Sequence, residues 1–368
     1  MNNIKISARQ FAIFVILFSI GSTILYISSS MSQELRQDAW IGAAIGTGLS
    51  LLLMLLYIAI GRIFPNMTLV KMNEKVFGKW IGKLVSLSFI FFSFSTAALL
   101  LSDVGNFLAI QMMPETPSEV TQILFACIVI MGIRLGLETL ARSAEILFSC
   151  FIVLFIIFVV SLFPHVELKN IQPIFESGIK PLVRSSLLFM SFFSLPLVVV
   201  LMIFPASVNQ PKNAEKKLFI GVLIGGTCLT ILIVLTIMVL GPDLSAAQMY
   251  PSYSLARKIE VGGFLQRVEA IMAAMWFITL YFKFVLYFYA AVIGLAQTLS
   301  LNDYLPLTLP LGMILVLLSF MINPNVAFES AYDKEVWIVY ALSYGLVLPF
   351  LLLTGQILRK IIQGNKNQ

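Results

Sequence analysis

Apolar runs long enough to cross a bilayer, each about 20 residues, recur along the chain with short polar segments between them. They lie near residues 8–31, 40–60, 81–112, 120–134, 143–163, 184–204, 217–241, 268–298, 304–322 and 335–357, which predicts an all-α membrane protein of about ten transmembrane helices. The fourth run is the shortest, and the third and eighth are long enough to tilt or project. No low-complexity tract or soluble domain interrupts the pattern, so 1–368 reads as a single polytopic membrane domain. Two longer connections, 164–183 and 242–263, mix prolines with polar residues and predict short surface helices over the outer face.

Composition agrees with the pattern. The chain is 59% hydrophobic and 11% charged, with a mean hydropathy of +0.96, whereas a soluble domain is about a quarter charged. The net charge of +6 therefore belongs to loops and is not a nucleic-acid patch. With the N-terminus inside, 15 Lys and Arg residues fall on the inner side and 8 on the outer, so both termini are expected in the cytoplasm. "MNNIKISARQ" leads into a span without a small-residue cleavage site and reads as the approach to a first helix. Cys127, Cys150 and Cys228 all lie in apolar runs and read as small hydrophobes. His165, beside Pro164 at a span's end, reads as a boundary residue rather than a proton relay.

Two spans carry polar interruptions. "SIGST" at 19–23 lies midway through the first, and "SFFSLP" at 191–196 lies at similar depth in the sixth, where Pro196 removes a backbone donor. Gly and Ser also serve close packing in membrane helices, and proline kinks are routine, so either break alone is open to that reading. Unwound backbone is tolerated in a bilayer only against protein or a water-filled cavity. Matched breaks in two five-span halves of opposite orientation, 1–163 and 184–357, point to an inverted-repeat transporter with a midplane site. The half-helices beginning near Thr23 and after Pro196 would aim their amino ends at that site, which suits a carboxylate.

Lys283, within "WFITLYFKFVLYFYAAVIG", sits midway along the eighth span with no acidic residue within a helical turn. A charge there costs at least about 2.5–3.5 kcal/mol, so the side chain is expected to face the bundle interior; snorkelling is the alternative. It would either stand in for a coupling sodium as a fixed charge or carry a proton. Thr279 and Tyr287, four residues to either side, would extend a polar stripe. Asp103 is open to two readings, a charge partner for Lys283 or, preferred, an interfacial residue at the outer end of span three. In "GIRLGLETLARSAEIL", Arg134, Glu138 and Arg142 follow at four-residue steps with Glu145 three further on. That predicts a charge ladder along one helix, either solvated or latching an inner gate. No P-loop, HExxH, Gly-x-Ser-x-Gly or CxxC motif is present, so neither catalysis, ATP use, a cofactor nor a metal is expected.

Five segments carry a family resemblance: "DAWIGAAIG", "MMPETP", "RLGLETLAR", "IQPIFESGIKPLVRSSLLFMSFFSLP" and "LLLTGQILRK". In this order and spacing the chain resembles the B subunits of bacterial spore germinant receptors, in the amino acid–polyamine–organocation transporter superfamily. The resemblance implies a leucine-transporter-like fold of two inverted five-helix repeats. It also implies residence in the spore inner membrane and assembly with a larger membrane A subunit and a lipoprotein C subunit. Binding of a nutrient, typically an amino acid, would trigger germination. On this resemblance Gly21, Ser22 and Thr23 match the unwound first helix, and Phe193, Ser194, Leu195 and Pro196 the broken sixth. Thr23 and Ile24 stand where many superfamily members have glycine, which narrows the expected pocket.

Three functions remain open: a nutrient receptor, a proton-coupled or uncoupled amino-acid transporter, and an ion-conducting receptor subunit. Phe, Leu and Ile dominate the expected pocket, and no carboxyl group is seen waiting for a cationic side chain. The expected ligand is therefore a neutral amino acid.

Overall fold

The computed structural model describes residues 5–258, 268–323 and 325–366, with side chains omitted at 326, 327 and 361–366. Among them secondary structure is helical, apart from one isolated bridge between Ile6 and Val208. The first crossing is α1 (Ala8–Ile20) and α2 (Thr23–Leu35), followed by α3 (Ala39–Ile63), the short amphipathic α4 (Leu69–Phe77) and α5 (Lys79–Phe107). Then come α6 (Ser118–Leu135), α7 (Leu137–Leu162), α8 (Ile179–Phe193) and α9 (Pro211–Leu240). After α10 (Pro242–Ala247) and α11 (Pro251–Arg257) follow α12 (Val268–Thr298) and α13 (Leu305–Ile322). The last crossing alternates α14 (Val326–Ala331), a π-helical stretch (Tyr332–Trp337), α15 (Ile338–Leu342), a second π stretch (Ser343–Val347) and α16 (Leu348–Lys366).

Among the described residues nine helical stretches are long and apolar enough to cross a membrane, with Thr23–Ile63 counted as one. That stretch is a hairpin: Arg36 adopts φ 51°, and Gly42 of α3 lies against Leu35 and Met31 of α2. The crossings therefore number ten, as the apolar pattern predicts, with α1 and α2 sharing the first.

Burial follows the job each helix does. Between Pro211 and Leu240, Gly221 and Gly225 stand four residues apart, the spacing that lets membrane helices approach closely. Val15 and Ser19 of α1 fill the space beside them. The apolar stretches of α8 and α12 are largely buried, whereas those of α6, α7 and α13 are largely open to the surroundings. Trp80, Ile146, Val160, Leu317 and Met321 are among the exposed apolar side chains; lipid takes the place of water around them.

At the end opposite the N-terminus, short helical turns within 164–183 and the helices α10 and α11 within 242–258 form a lid. The part of the second connection beyond Lys258, with Arg267, lies outside the described residues. Helix α10 is tied to α2 by Gln33 Nε2 donating to the Ala246 carbonyl (2.9 Å) and by the Arg36–Asp243 ion pair (2.6 Å). Residues 164–183 are anchored by Asp38, which is 1% exposed. Its two carboxyl oxygens accept the backbone N–H groups of Phe175 and Ser177, each at 2.9 Å.

At the other end Arg62 donates twice to Glu215 (3.0 and 2.6 Å), joining α3 to α9. The expected charge ladder is corrected here. Gly136, at φ 89°, ends α6 and starts α7, so Arg134 is not on the helix that carries Glu138. Only the Glu138–Arg142 pair forms within the helix, at 2.7 Å. Arg134 instead donates to Thr308 Oγ1 (3.2 Å), and Glu145 faces Arg9 (3.9 Å) and Gln10 (3.3 Å) on α1.

Asp38→Ala removes both acceptors of the 175–177 turn, and bonds to a charged group contribute about 1.5–3 kcal/mol each. The expected outcome is a lower melting temperature in detergent and faster proteolysis within 172–178; unchanged cleavage there would show that Asp38 anchors nothing.

Candidate functional site

The first crossing breaks because Gly21 turns to φ 37°, ψ −132° at the end of α1. Its carbonyl, released from helical pairing, accepts Thr279 Oγ1 from α12 at 2.9 Å. One turn further along α12, Lys283 reaches across the break. Its ammonium donates to Thr23 Oγ1 (3.2 Å) and to the Phe192 carbonyl (3.0 Å), and Thr23 Oγ1 donates to the same carbonyl (3.1 Å). The Nζ also lies 5.9 Å from the centre of the Phe18 ring, within cation–π range. Lys283 is 3% exposed and, among the described residues, forms no salt bridge. A buried charge is tolerated only when hydrogen-bonded, and here backbone and hydroxyl oxygens perform that role.

The sixth crossing breaks at Ser194, where α8 ends and a 3₁₀ stretch, Leu195–Met202, begins with Pro196 in its first turn. This corrects the expectation of an α-helical amino end after Pro196. What the break frees instead are carbonyls, and those of Ser191, Phe192 and Leu195 accept side-chain donors. Trp337 Nε1 takes Ser191 (3.1 Å), Lys283 and Thr23 take Phe192, and Tyr57 Oη takes Leu195 (3.2 Å) and also Gly345 (2.7 Å). The carboxyl end of α8 carries the negative pole of the helix, so this half of the site favours cations; Lys283 answers it.

Beside Lys283 lies a cavity of about 40 Å³, room for about three water molecules. Ser22, Tyr26, Phe192, Lys283, Tyr287 and Trp337 form its inner wall, and Asp103, Asn323, Glu329 and Asp333 the wall toward the lid. Trp337 is layered between Phe92 (6.2 Å, 13°) and Phe192 (5.8 Å, 27°). A second cavity of about 210 Å³ continues toward the lid past Ser29, Gln33 and Gln248, and shares Tyr26, Glu329 and Asp333 with the first. At the opposite end a separate cavity of about 470 Å³ is lined by Thr68, Arg134, Gln297 and Asp303, among others.

With this geometry in view, comparison with known proteins is decisive about kinship. A family model described as "Spore germination protein" matches residues 5–327. The chain belongs to this spore germination protein family. Its relative Spore germination protein KB of Bacillus subtilis (strain 168) is 29% identical over 98% of this chain and 96% of its own length. MhsT, solved in complex with L-phenylalanine, superposes with a TM-score of 0.64 at 14% identity, covering 95% of this chain and 97% of that one. Mhp1, a nucleobase-cation-symport-1 family transporter solved closed with bromovinylhydantoin bound, gives 0.64 at 10% identity, covering 94% and 79%. This germination protein is therefore an integral membrane protein of the leucine-transporter fold, with the family and fold of receptors and transporters.

Of the residues expected at the site, Ser22, Lys283 and Tyr287 line the cavity. Gly21, Thr23 and Thr279 stand directly behind it, holding Lys283 and each other. Phe193, Ser194, Leu195 and Pro196 are buried but face away from it: Phe193 packs on Phe189 (5.0 Å), and Ser194 Oγ accepts from Ser50 Oγ (2.7 Å) on α3. The preferred reading of Asp103 as interfacial is corrected, since it lines the cavity. So is the premise that no carboxyl group waits there. Glu329 and Asp333 escaped notice because the tenth span was expected to start at 335. Their four-residue spacing before an apolar run was the available signal.

At Gly21 a Cβ would run into the Lys283 methylenes and the Phe18 carbonyl oxygen (2.8 Å), in a backbone conformation L side chains avoid. Gly21→Ala is expected to lower stability by about 2 kcal/mol. Gly48→Ala, where nothing lies within 4 Å, should be neutral or stabilising. Equal melting temperatures for the two variants would remove Gly21 from this account.

Proposed function

We propose that this chain is the nutrient-sensing subunit of a spore germinant receptor and that it binds an amino acid in the chamber beside Lys283. It would sit in the spore inner membrane with both termini on the core side, assembled with an A subunit and a lipoprotein C subunit. The observation that supports this best is the meeting of the two broken crossings on one buried ammonium next to a polar chamber. A neighbour of the same fold, MhsT, was solved with L-phenylalanine, which favours an amino acid as ligand class.

A chamber of about 40 Å³ is too small for an amino acid, so the ligand would bind a more open arrangement and bias the protein toward it. A ligand shifts such an equilibrium only by its difference in affinity for the two states. Ser22 and Tyr287 would meet the ligand. Gly21, Thr23, Thr279 and Lys283 would keep the break open, while Phe193, Ser194, Leu195 and Pro196 would transmit its movement to α3. The units that move against each other would be the two repeats, 1–163 and 184–357.

Transport is the second reading, favoured by polar cavities at both ends of the bundle. The two separate in one experiment: binding of labelled amino acids to purified protein, then uptake of any that bind into proteoliposomes. Binding without uptake supports sensing; saturable uptake supports transport; no saturable binding by any amino acid overturns the chamber.

Lys283→Met leaves the Phe192 carbonyl with Thr23 alone and removes the charge at the carboxyl end of α8. It is expected to abolish the germination response, with Lys283→Arg keeping part of it. A normal dose–response for Lys283→Met in spores would exclude Lys283 from the mechanism.

A further inference from the structure

The chamber's lid-side wall is acidic beyond what its one cation can balance. Asp103 from α5 and Glu329 and Asp333 from the last crossing line it together, brought there from sequence positions more than 200 residues apart. Among the described residues none of the three is in an ion pair. Asn106 Nδ2 reaches Glu329 at 3.5 Å and is the one side-chain donor among their hydrogen bonds. Lys283 lines the same chamber, but its ammonium is held by Thr23 and Phe192. The three carboxyl groups are half-buried, and like charges gathered on one wall disfavour one another, so this arrangement calls for a positive group from outside.

A second, independent feature points to a ligand. Tyr287 is 0% exposed and lines this chamber, and among the described residues its hydroxyl has no hydrogen-bond partner; both amide atoms of Asn323, which also lines the chamber, are likewise unpartnered there. Buried polar atoms in native proteins are nearly always paired. The unmet demand is therefore mixed: positive charge for the carboxyl groups, and hydrogen-bonding capacity for Tyr287 and Asn323. Glu329 and Asp333 also line the outer cavity, together with Lys334, so they face an arriving group before it reaches Lys283. Acid-lined clefts concentrate cations in this way.

We propose that Asp103, Glu329 and Asp333 form a receptor for a positively charged group, which they hold at the lid side of the chamber. A primary ammonium on an organic ligand and a monovalent inorganic cation share this chemistry. The inference rests on the chamber being the ligand site and adds an acidic wall to a pocket expected to be dominated by Phe, Leu and Ile. An amino acid would lie with its ammonium toward the three carboxyl groups and its carboxylate toward Lys283 and Tyr287.

The test uses the full chain in nanodiscs, with binding of L-lysine, L-alanine, L-lactate and potassium ion followed at constant ionic strength in choline chloride. The expected result is saturable binding of both amines, none of L-lactate, and a loss of about tenfold in affinity in each of D103N, E329Q and D333N. Melting temperatures of the unliganded variants should stay at or above the wild-type value, since each substitution removes one of three like charges. Potassium binding with the same carboxyl dependence, and no amine binding, also supports the proposal and assigns the site to an inorganic cation. Equal binding of L-lactate and L-alanine overturns it, as do wild-type affinities in all three variants, or no binding by any cation. Ser22→Phe, which fills the inner wall, separates the two readings. Amine binding that needs the carboxyl groups yet survives Ser22→Phe keeps the cation receptor and discards the inner chamber.

Discussion

One ammonium group bridges the ends of two interrupted helices in a membrane interior. Lys283 donates to Thr23 at the start of α2 and to Phe192 at the end of α8, and its methylenes lie against Gly21. Breaking a helix in a bilayer exposes carbonyls that no solvent can meet. Here two side chains of a third, unbroken helix meet them, Thr279 at Gly21 and Lys283 at Phe192. The charge and the breaks make each other tolerable: without the breaks Lys283 would have no oxygen partners, and without Lys283 the end of α8 would keep its negative pole unanswered. α12, largely buried along its apolar stretch, provides the fixed post from which both are held.

The same logic extends along the sixth crossing. Trp337 and Tyr57 meet two further carbonyls around the break, those of Ser191 and Leu195, and both are anchored in the aromatic and apolar core. Trp337 therefore belongs to two systems, the backbone repair of α8 and the wall of the chamber. Through Trp337 the wall of the chamber is joined directly to the backbone of the broken helix.

Much of this was legible in the sequence, for definite physical reasons. Ten apolar runs, the matched breaks at 19–23 and 191–196, and a lone lysine in mid-span are strong signals because hydrocarbon penalises unpaired polar groups so heavily. Thr279 and Tyr287 followed from helical spacing alone. Three things were not legible. Whether the sixth break would present donors or acceptors depends on local backbone geometry, and it proved to be carbonyls. Gly136 divides a charge pattern that looks continuous when spacing is counted without regard to backbone. Glu329 and Asp333 precede the tenth apolar run, and polar residues at a span's start resemble a loop until tertiary packing turns them inward.

The tenth crossing carries two π-helical stretches, Tyr332–Trp337 and Ser343–Val347. A π turn stores one residue more than an α-helix of the same rise needs. Should that surplus migrate along the helix, each residue it passes rotates by about 100°, the angle per residue of an α-helix, while both ends stay in place. Asp333 and Trp337 lie inside the first of these stretches. The helix thus holds enough slack to re-aim an acid and an indole at the chamber without tilting as a whole or parting from its neighbours.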